Sequence, residues 1–147
     1  DAPNGAAVFV DYAHTDGAIA SVLSILRPLT PGKVTIVFGC GGDRDRGKRP
    51  LMAKAAEAGS DTVVVTSDNP RTEDPGRIFA DIMPGFARPE EAMVIPDRRE
   101  AVAWAVGRAG KGDAVLVAGK GHEDYQILGT AKIHLDDREL VRAAFAG

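Results

Sequence analysis

At 147 residues, 44% of them hydrophobic, the chain is one domain's worth and can bury roughly 70% of its unfolded surface, which excludes a disordered polypeptide. Its 18 basic and 21 acidic residues leave a formal net charge of −3, so no global field draws nucleic acid or an anionic membrane and any anion site has to be local. The single Cys40 excludes an intramolecular disulfide and fits a reducing compartment, and no apolar run approaches the roughly 18 residues that span a bilayer. No signal-peptide pattern is seen, and the opening Asp1-Ala2-Pro3-Asn4-Gly5, without a Met, reads like a linker, so a fragment of a longer protein is expected.

In chain order, Ala6 to Val10 reads as a short apolar strand that ends in Asp11-Tyr12-Ala13-His14. Thr15 or Asp16 can then cap a helix with Ile19, Val22, Leu23 and Leu26 on one face, ended by Pro28 and Pro31. Lys33 to Phe38 is the second strand and runs into a glycine-rich loop from Gly39 to Lys48, before a helix with Pro50 in its first turn and Gly59 at its close. Thr62 to Thr66 is the third strand, followed by Asp68-Asn69-Pro70-Arg71. Pro70 restricts its own φ and pushes Asn69 out of the helical region, so this loop is stiff until Thr72-Glu73-Asp74-Pro75 starts the next helix. That helix carries Ile78, Phe79, Ile82 and Met83 and stops at Pro84-Gly85.

A fourth strand from Ala92 to Ile95 leads to a capping box, Asp97 with Glu100, and a helix with Val102, Ala105, Val106 and Ala109 inside. Ala114 to Ala118 is the fifth strand and opens into Gly119-Lys120-Gly121-His122-Glu123. A hairpin is expected from Tyr125 to Leu128 and Lys132 to Leu135, joined around Gly129-Thr130. Asp136 and Glu139 form a second capping box before a last helix that buries Leu140, Val141, Ala144 and Phe145. Strand and helix alternating at this spacing imply an α/β fold: a Rossmann-like, doubly wound, mostly parallel sheet of about six strands, helices on both faces and a C-terminal hairpin.

Four polar loops, Asp11 to His14, Gly39 to Lys48, Asp68 to Arg71 and Gly119 to Glu123, each follow a strand's C-terminal end, where α/β sheets hold ligands. Gly42-x4-Gly47-Lys48 has the outline of a P-loop, but Arg49 stands where Ser or Thr would hold Mg²⁺, so it is better read as a turn that aims Arg44 or Arg46 at an anion, or as a solvated charged loop. The Gly119 to Glu123 loop could pair Glu123 with an ammonium, or simply face water. His14, His122 and His134 lack the spacing of a helical metal pair, and no serine has a nucleophile-elbow context, so neither a metal site nor a Ser/His/Asp hydrolase is expected. Two arginines (Arg44, Arg71), the Asp68-Asn69 pair and Glu123 suit a zwitterion such as an amino acid, and Asp11 is free for another task such as a ribose hydroxyl.

Taken together, Val10-Asp11-Tyr12-Ala13-His14-Thr15, Gly41-Gly42-Asp43-Arg44-Asp45, Gly47-Lys48-Arg49-Pro50, Asp68-Asn69-Pro70-Arg71 and Gly119-Lys120-Gly121-His122-Glu123 resemble the C-terminal domain of the Mur ligases. Within that family they resemble the form that adds meso-2,6-diaminopimelate to UDP-N-acetylmuramoyl-L-alanyl-D-glutamate. The resemblance runs from about Val8 to Phe145. It implies that residues 1–147 are the amino-acid-binding domain of a three-domain cytoplasmic enzyme of peptidoglycan synthesis, whose N-terminal UDP-binding and central ATPase domains are absent from this chain. ATP and Mg²⁺ are implied for the whole enzyme, with the P-loop and most metal ligands in the central domain.

By motif match, the resemblance implies that Arg44, Asp68, Asn69, Pro70, Arg71, Gly119 and Glu123 bind meso-diaminopimelate, that Asp11, Tyr12 and His14 serve the nucleotide side, and that no catalytic residue lies in this fragment. Lysine-adding relatives usually lack an arginine at the Arg71 position, and a distal carboxylate is what diaminopimelate has and lysine lacks. One departure is visible: where the family commonly has proline after His-Thr, Thr15 is followed by Asp16-Gly17. The competing expectations are a stand-alone module for a nucleotide or small anion, and a phosphotransferase built on Gly42 to Lys48.

Overall fold

Five of the apolar runs form one parallel sheet. In the computed structural model, which describes residues 5–41, 46–120, 123, 125–128 and 131–146, these strands are β1 (Ala7–Asp11), β2 (Val34–Phe38), β3 (Thr62–Val65), β4 (Met93–Val94) and β5 (Ala114–Ala118). They pair in the order β1-β5-β2-β3-β4, each neighbour parallel. A second, antiparallel pair, β6 (Tyr125–Leu128) and β7 (Ala131–His134), stands apart from it. The expected sheet of about six strands is therefore five plus a separate hairpin, because strands joined by so short a connection pair with each other. The fourth strand is also shorter than Ala92 to Ile95, and both of its residues are exposed at the sheet edge.

The helices begin where the side chains can cap them. Thr15 Oγ1 accepts from Ala18 N at 3.1 Å and starts α1 (Asp16–Leu29), and α2 (Lys48–Gly59) follows the glycine-rich loop. Asp74 accepts from Gly76 N at 3.0 Å before α3 (Pro75–Ile82), which has proline in its first turn and ends in a 3₁₀ turn, Met83–Gly85. Asp97 accepts from the amides of Arg99 and Glu100 ahead of α4 (Arg98–Arg108), and Asp136 accepts from Arg138 N ahead of α5 (Asp137–Ala146). One expectation changes: α1 runs through Pro28 to Leu29. In the last turn the proline costs only the bond to Ser24 O, and Thr30 closes the helix end, its Oγ1 donating to Leu26 O at 2.7 Å and its N to Arg27 O at 3.2 Å.

Alternation along each strand divides the interior into two layers. Val34, Ile36 and Phe38 of β2, Val63 and Val65 of β3, and Leu116 of β5 face α1, α2 and α3 through Ile19, Leu23, Met52, Ala53, Ile78 and Ile82. Val37, Val64, Val115 and Val117 point the other way, onto Ala101, Val102, Ala105 and Val106 of α4 and Leu140 and Val141 of α5. Both faces are covered, as a parallel sheet requires, so ligand access is confined to the strand ends. Among the described residues no helix is long and apolar enough to cross a membrane.

Candidate functional site

The loop after β3 is fixed from below. Thr66 N donates to Phe38 O at 2.8 Å, which carries the β2–β3 pairing one residue further. Gly39 permits this approach, because a Cβ there would collide with Thr66 O and stand 2.9 Å from Asp68 N. Lys120, fully buried, brings Nζ to 3.1 Å from Asp68 Oδ1 and donates to Asn69 Oδ1 at 3.1 Å, while Gln126 Nε2 donates to Asp68 O at 2.7 Å. The lysine is close to Asp68 but off hydrogen-bonding geometry, so Asp68 Oδ1 is a buried oxygen with charge compensation and no directed donor. Pro70 is buried behind the loop. Arg71 has φ 55°, the one non-glycine residue among those described in the left-handed region, and its Nη1 donates to Asn69 O at 3.3 Å.

The exits of β1 and β5 are tied together as well. Asp11 O accepts from Gly119 N at 3.0 Å, and Asp11 Oδ1 accepts from Ala13 N at 2.8 Å, turning the chain toward Tyr12 and His14. His14 Nδ1 donates to Tyr12 O at 2.9 Å, and the two rings meet edge to face with centroids 4.5 Å apart. Gly119 has φ +114°, and a Cβ there would sit 3.7 Å from Asp68 Oδ2.

The glycine-rich loop supplies the third wall, and here sequence reasoning missed the main residue. Arg49, 1% exposed, grips both oxygens of Glu73 at 2.7 Å and also donates to Asp81 at 2.9 Å and Gly41 O at 3.1 Å. This guanidinium, at the position where a P-loop would have serine or threonine, joins α2, α3 and two of the loops. Arg46, expected to point at an anion, instead binds Asp81 at 2.6 and 3.0 Å. The hydrogen bond from Arg46, with a further one from Arg49, holds the Asp81 carboxyl down at about 2. Cys40 lies 3.4 Å from Met52 Sδ, and burial pushes its thiol up to about 12, so it is a packed thiol rather than a nucleophile at neutral pH.

These loops enclose a cavity of about 430 Å³, within the size range of small-molecule sites. Tyr12, His14 and Thr15 line it from the first loop, Gly39 to Gly41 with Lys48, Arg49 and Met52 from the second, Asp68, Asn69 and Arg71 from the third, and Gly119 and Glu123 from the fourth. Asp11 and Pro70 are not in the lining and act behind it. Arg44, with Gly42 to Asp45, Gly121, His122 and the side chain of Phe145, lies outside the described residues. Asp16 does reach the site's margin, with Oδ1 3.9 Å from Lys48 Nζ. Among the described residues no group of three or more His, Cys, Asp or Glu side chains is placed to hold a metal ion.

Known proteins resemble this chain in sequence and fold. The ligase UDP-N-acetylmuramoyl-L-alanyl-D-glutamate--2,6-diaminopimelate ligase of Synechococcus sp. (strain WH7803) is 58% identical over 138 residues, which is 94% of this chain and 28% of that protein. The enzyme of the same name from Haemophilus ducreyi (strain 35000HP / ATCC 700724) is 56% identical over 133 residues, 90% of this chain and 26% of the relative. A solved structure of a ligase with that name superposes with a TM-score of 0.91 at 48% identity, covering 95% of this chain and 29% of the other. E. coli FolC in complex with ADP superposes at 0.58 with 20% identity over 79% of this chain and 26% of its own, which shows a shared fold. The chain thus spans about 28% of the length of the curated relatives it matches. The family model described as "Mur ligase, glutamate ligase domain" matches residues 1–121, and the chain belongs to the Mur ligase family.

Proposed function

We propose that this chain is the amino-acid-binding domain of an ATP-dependent ligase that adds meso-diaminopimelate to UDP-N-acetylmuramoyl-L-alanyl-D-glutamate in cytoplasmic peptidoglycan synthesis. The observation that carries this reading is the third loop, whose Asp68-Asn69-Pro70-Arg71 presents a guanidinium on a strained backbone to a cavity that also holds a carboxylate, Glu123. Arg71 would take the distal carboxylate of the substrate bidentately, and Asp68, Asn69, Gly119, Glu123 and Arg44 its remaining polar groups. Tyr12 and His14, with Asp11 behind them, and Lys48 would face the nucleotide. The UDP-binding and ATPase domains would lie in the remainder of the longer protein.

The role of this domain would be to position an amine. ATP supplies the activation of the D-glutamate carboxylate, and an amine held at a fixed place beside that carboxylate reacts as if within one molecule. The Mg²⁺ of the whole enzyme would take its ligands mostly from the central domain. In the full-length enzyme, Arg71→Ala is expected to lower the preference for meso-diaminopimelate over lysine by about 10²-fold or more, since unpaired recognition groups discriminate by that order. Competition between the two amino acids in an amide-forming assay measures this. A wild-type enzyme that joins lysine as readily, or an unchanged preference in the variant, refutes the assignment.

A further inference from the structure

Arg98 opens α4, yet its side chain is wholly buried on the α4–α5 side of the sheet. A cation at a helix N-terminus opposes the helix dipole, so the helix gains nothing from it there. Its partner is Asp137, the first residue of α5 and equally buried, bound at 2.7 Å through Nε and 2.6 Å through Nη2. A pair this deep is no more stabilising than well-packed apolar residues of the same size, so its burial calls for another account.

That account lies in the remaining two hydrogen bonds. Arg98 Nη1 donates to Ser67 O at 3.1 Å and Nη2 to Ala118 O at 3.0 Å. Ser67 directly precedes Asp68, and Ala118 directly precedes Gly119, so each bond ends one residue short of the cavity lining. The two carbonyls leave β3 and β5, which have β2 between them and share no ladder. One rigid fork therefore spans two strand exits that the sheet itself does not connect, and Asp137 fixes the fork from the C-terminal helix.

We propose that Arg98, held by Asp137, is a positioning residue for amino-acid binding: behind the direct link that Lys120 makes, it fixes the separation of the Asp68–Arg71 wall from the wall of Gly119 and Glu123, and hence the span of substrate that fits between them. This rests on the ligase reading. The carboxylates of Asp68 and Glu123, on those two walls, help to favour the charged form of Arg98. Lysine in its place keeps the charge but presents a single ammonium, which cannot hold two carbonyls and both oxygens of Asp137 at once.

The test is Arg98→Lys in the full-length ligase. The KM for meso-diaminopimelate should rise about 10-fold, with kcat within about 3-fold and the KM for ATP unchanged, because misplacing binding groups by a fraction of an ångström acts on the ligand they hold. Amide exchange should quicken in residues 67–71 and 118–120 and stay the same in α1 and α2. Should Arg98→Lys fail to fold, Asp137→Asn keeps the fork and loosens its anchor, and the same two readouts should move in the same direction. An unchanged KM for the amino acid, or a KM for ATP that rises with it, overturns the proposal. A wild-type enzyme that forms no amide from meso-diaminopimelate overturns the ligase reading instead, while the exchange measurement needs no substrate and judges Arg98 alone.

Discussion

At the N-terminal ends of the strands Asp61 accepts from Val34 N at 2.8 Å and from Arg27 at 2.6 Å, and Asp113 accepts from Lys33 N and Gly110 N at 2.9 Å each. At the C-terminal ends Asp68 also has a cation, Lys120, at 3.1 Å, but among the described residues one of its oxygens has no directed donor, and its loop faces a cavity. Both edges are rich in Asp and Arg. They differ in how the charges are used: below, backbone amides and a neighbouring guanidinium consume the carboxylates and stitch turns together, whereas above, the buried Lys120 ammonium holds the Asp68 carboxylate and the Asn69 amide from behind, on residues that line the cavity. The upper edge differs from the lower one in holding its polar groups around a cavity.

Removing a holding cation should therefore have the largest effect. Lys120→Met keeps the volume and strands the Asp68 carboxylate, which should cost about 3 kcal/mol or more, read as a lower urea midpoint in the fluorescence of Trp104, the single tryptophan. A midpoint within error of wild type would mean that Lys120 is not what holds the loop.

The backbone at Arg71 gives a smaller, sharper contrast. Arg71→Ala and Arg71→Gly both delete the guanidinium, but only glycine relieves the left-handed φ, so the Gly variant should be more stable than the Ala variant by about 1 kcal/mol. Equal stabilities would show that the conformation carries no strain. Both variants should lose substrate preference alike, separating strain from recognition.

The smallest effect is expected at the lower edge. Asp61→Asn keeps the shape, and with Arg27 and Asp61 both over 40% exposed the loss should be about 0.5 kcal/mol after solvent screening, with no change in activity. The pH dependence has a fixed sign. The hydrogen bond from Val34 N, then that from Arg27, holds Asp61 below its ordinary 3.8; those from Gly110 N and Lys33 N do the same for Asp113. Their contribution is fully present above that value and is lost as pH falls through the depressed folded-state values. Acid titration of stability below pH 4 should accordingly be shallower in Asp61→Asn.

Strand order aside, the fold was legible because the sheet strands are short apolar runs and the helices other than α2 have a capping residue where the pattern changes period. Four loops at one edge followed from that alternation. What escaped was burial of charge. Arg49 stands with Met52, Ala53 and Ala56, and Arg98 with Ala101, Val102 and Ala105, on the buried stripes of α2 and α4. Both arginines therefore sit at the i, i+3, i+4 spacing that marks an inward face. A guanidinium on such a stripe signals carboxylates waiting inside, but those partners, Glu73 with Asp81 and Asp137, come from distant segments that no local pattern joins. Arg46 was misread for the same reason, since Asp81 lies 35 residues away.

The strand order carries a consequence for synthesis. β1 is an end strand whose sole neighbour in the sheet is β5, and Ala7 pairs with Ala114. A chain emerging from the ribosome can assemble β2, β3 and the helices around them while β1 has nothing to bind, because its template, β5, is made after β2, β3 and β4. Asp11, Tyr12 and His14 ride on the end of β1. Their side of the cavity is therefore completed only after β5 has been translated, so a product truncated before Ala114 would lack it even where much of its core had formed.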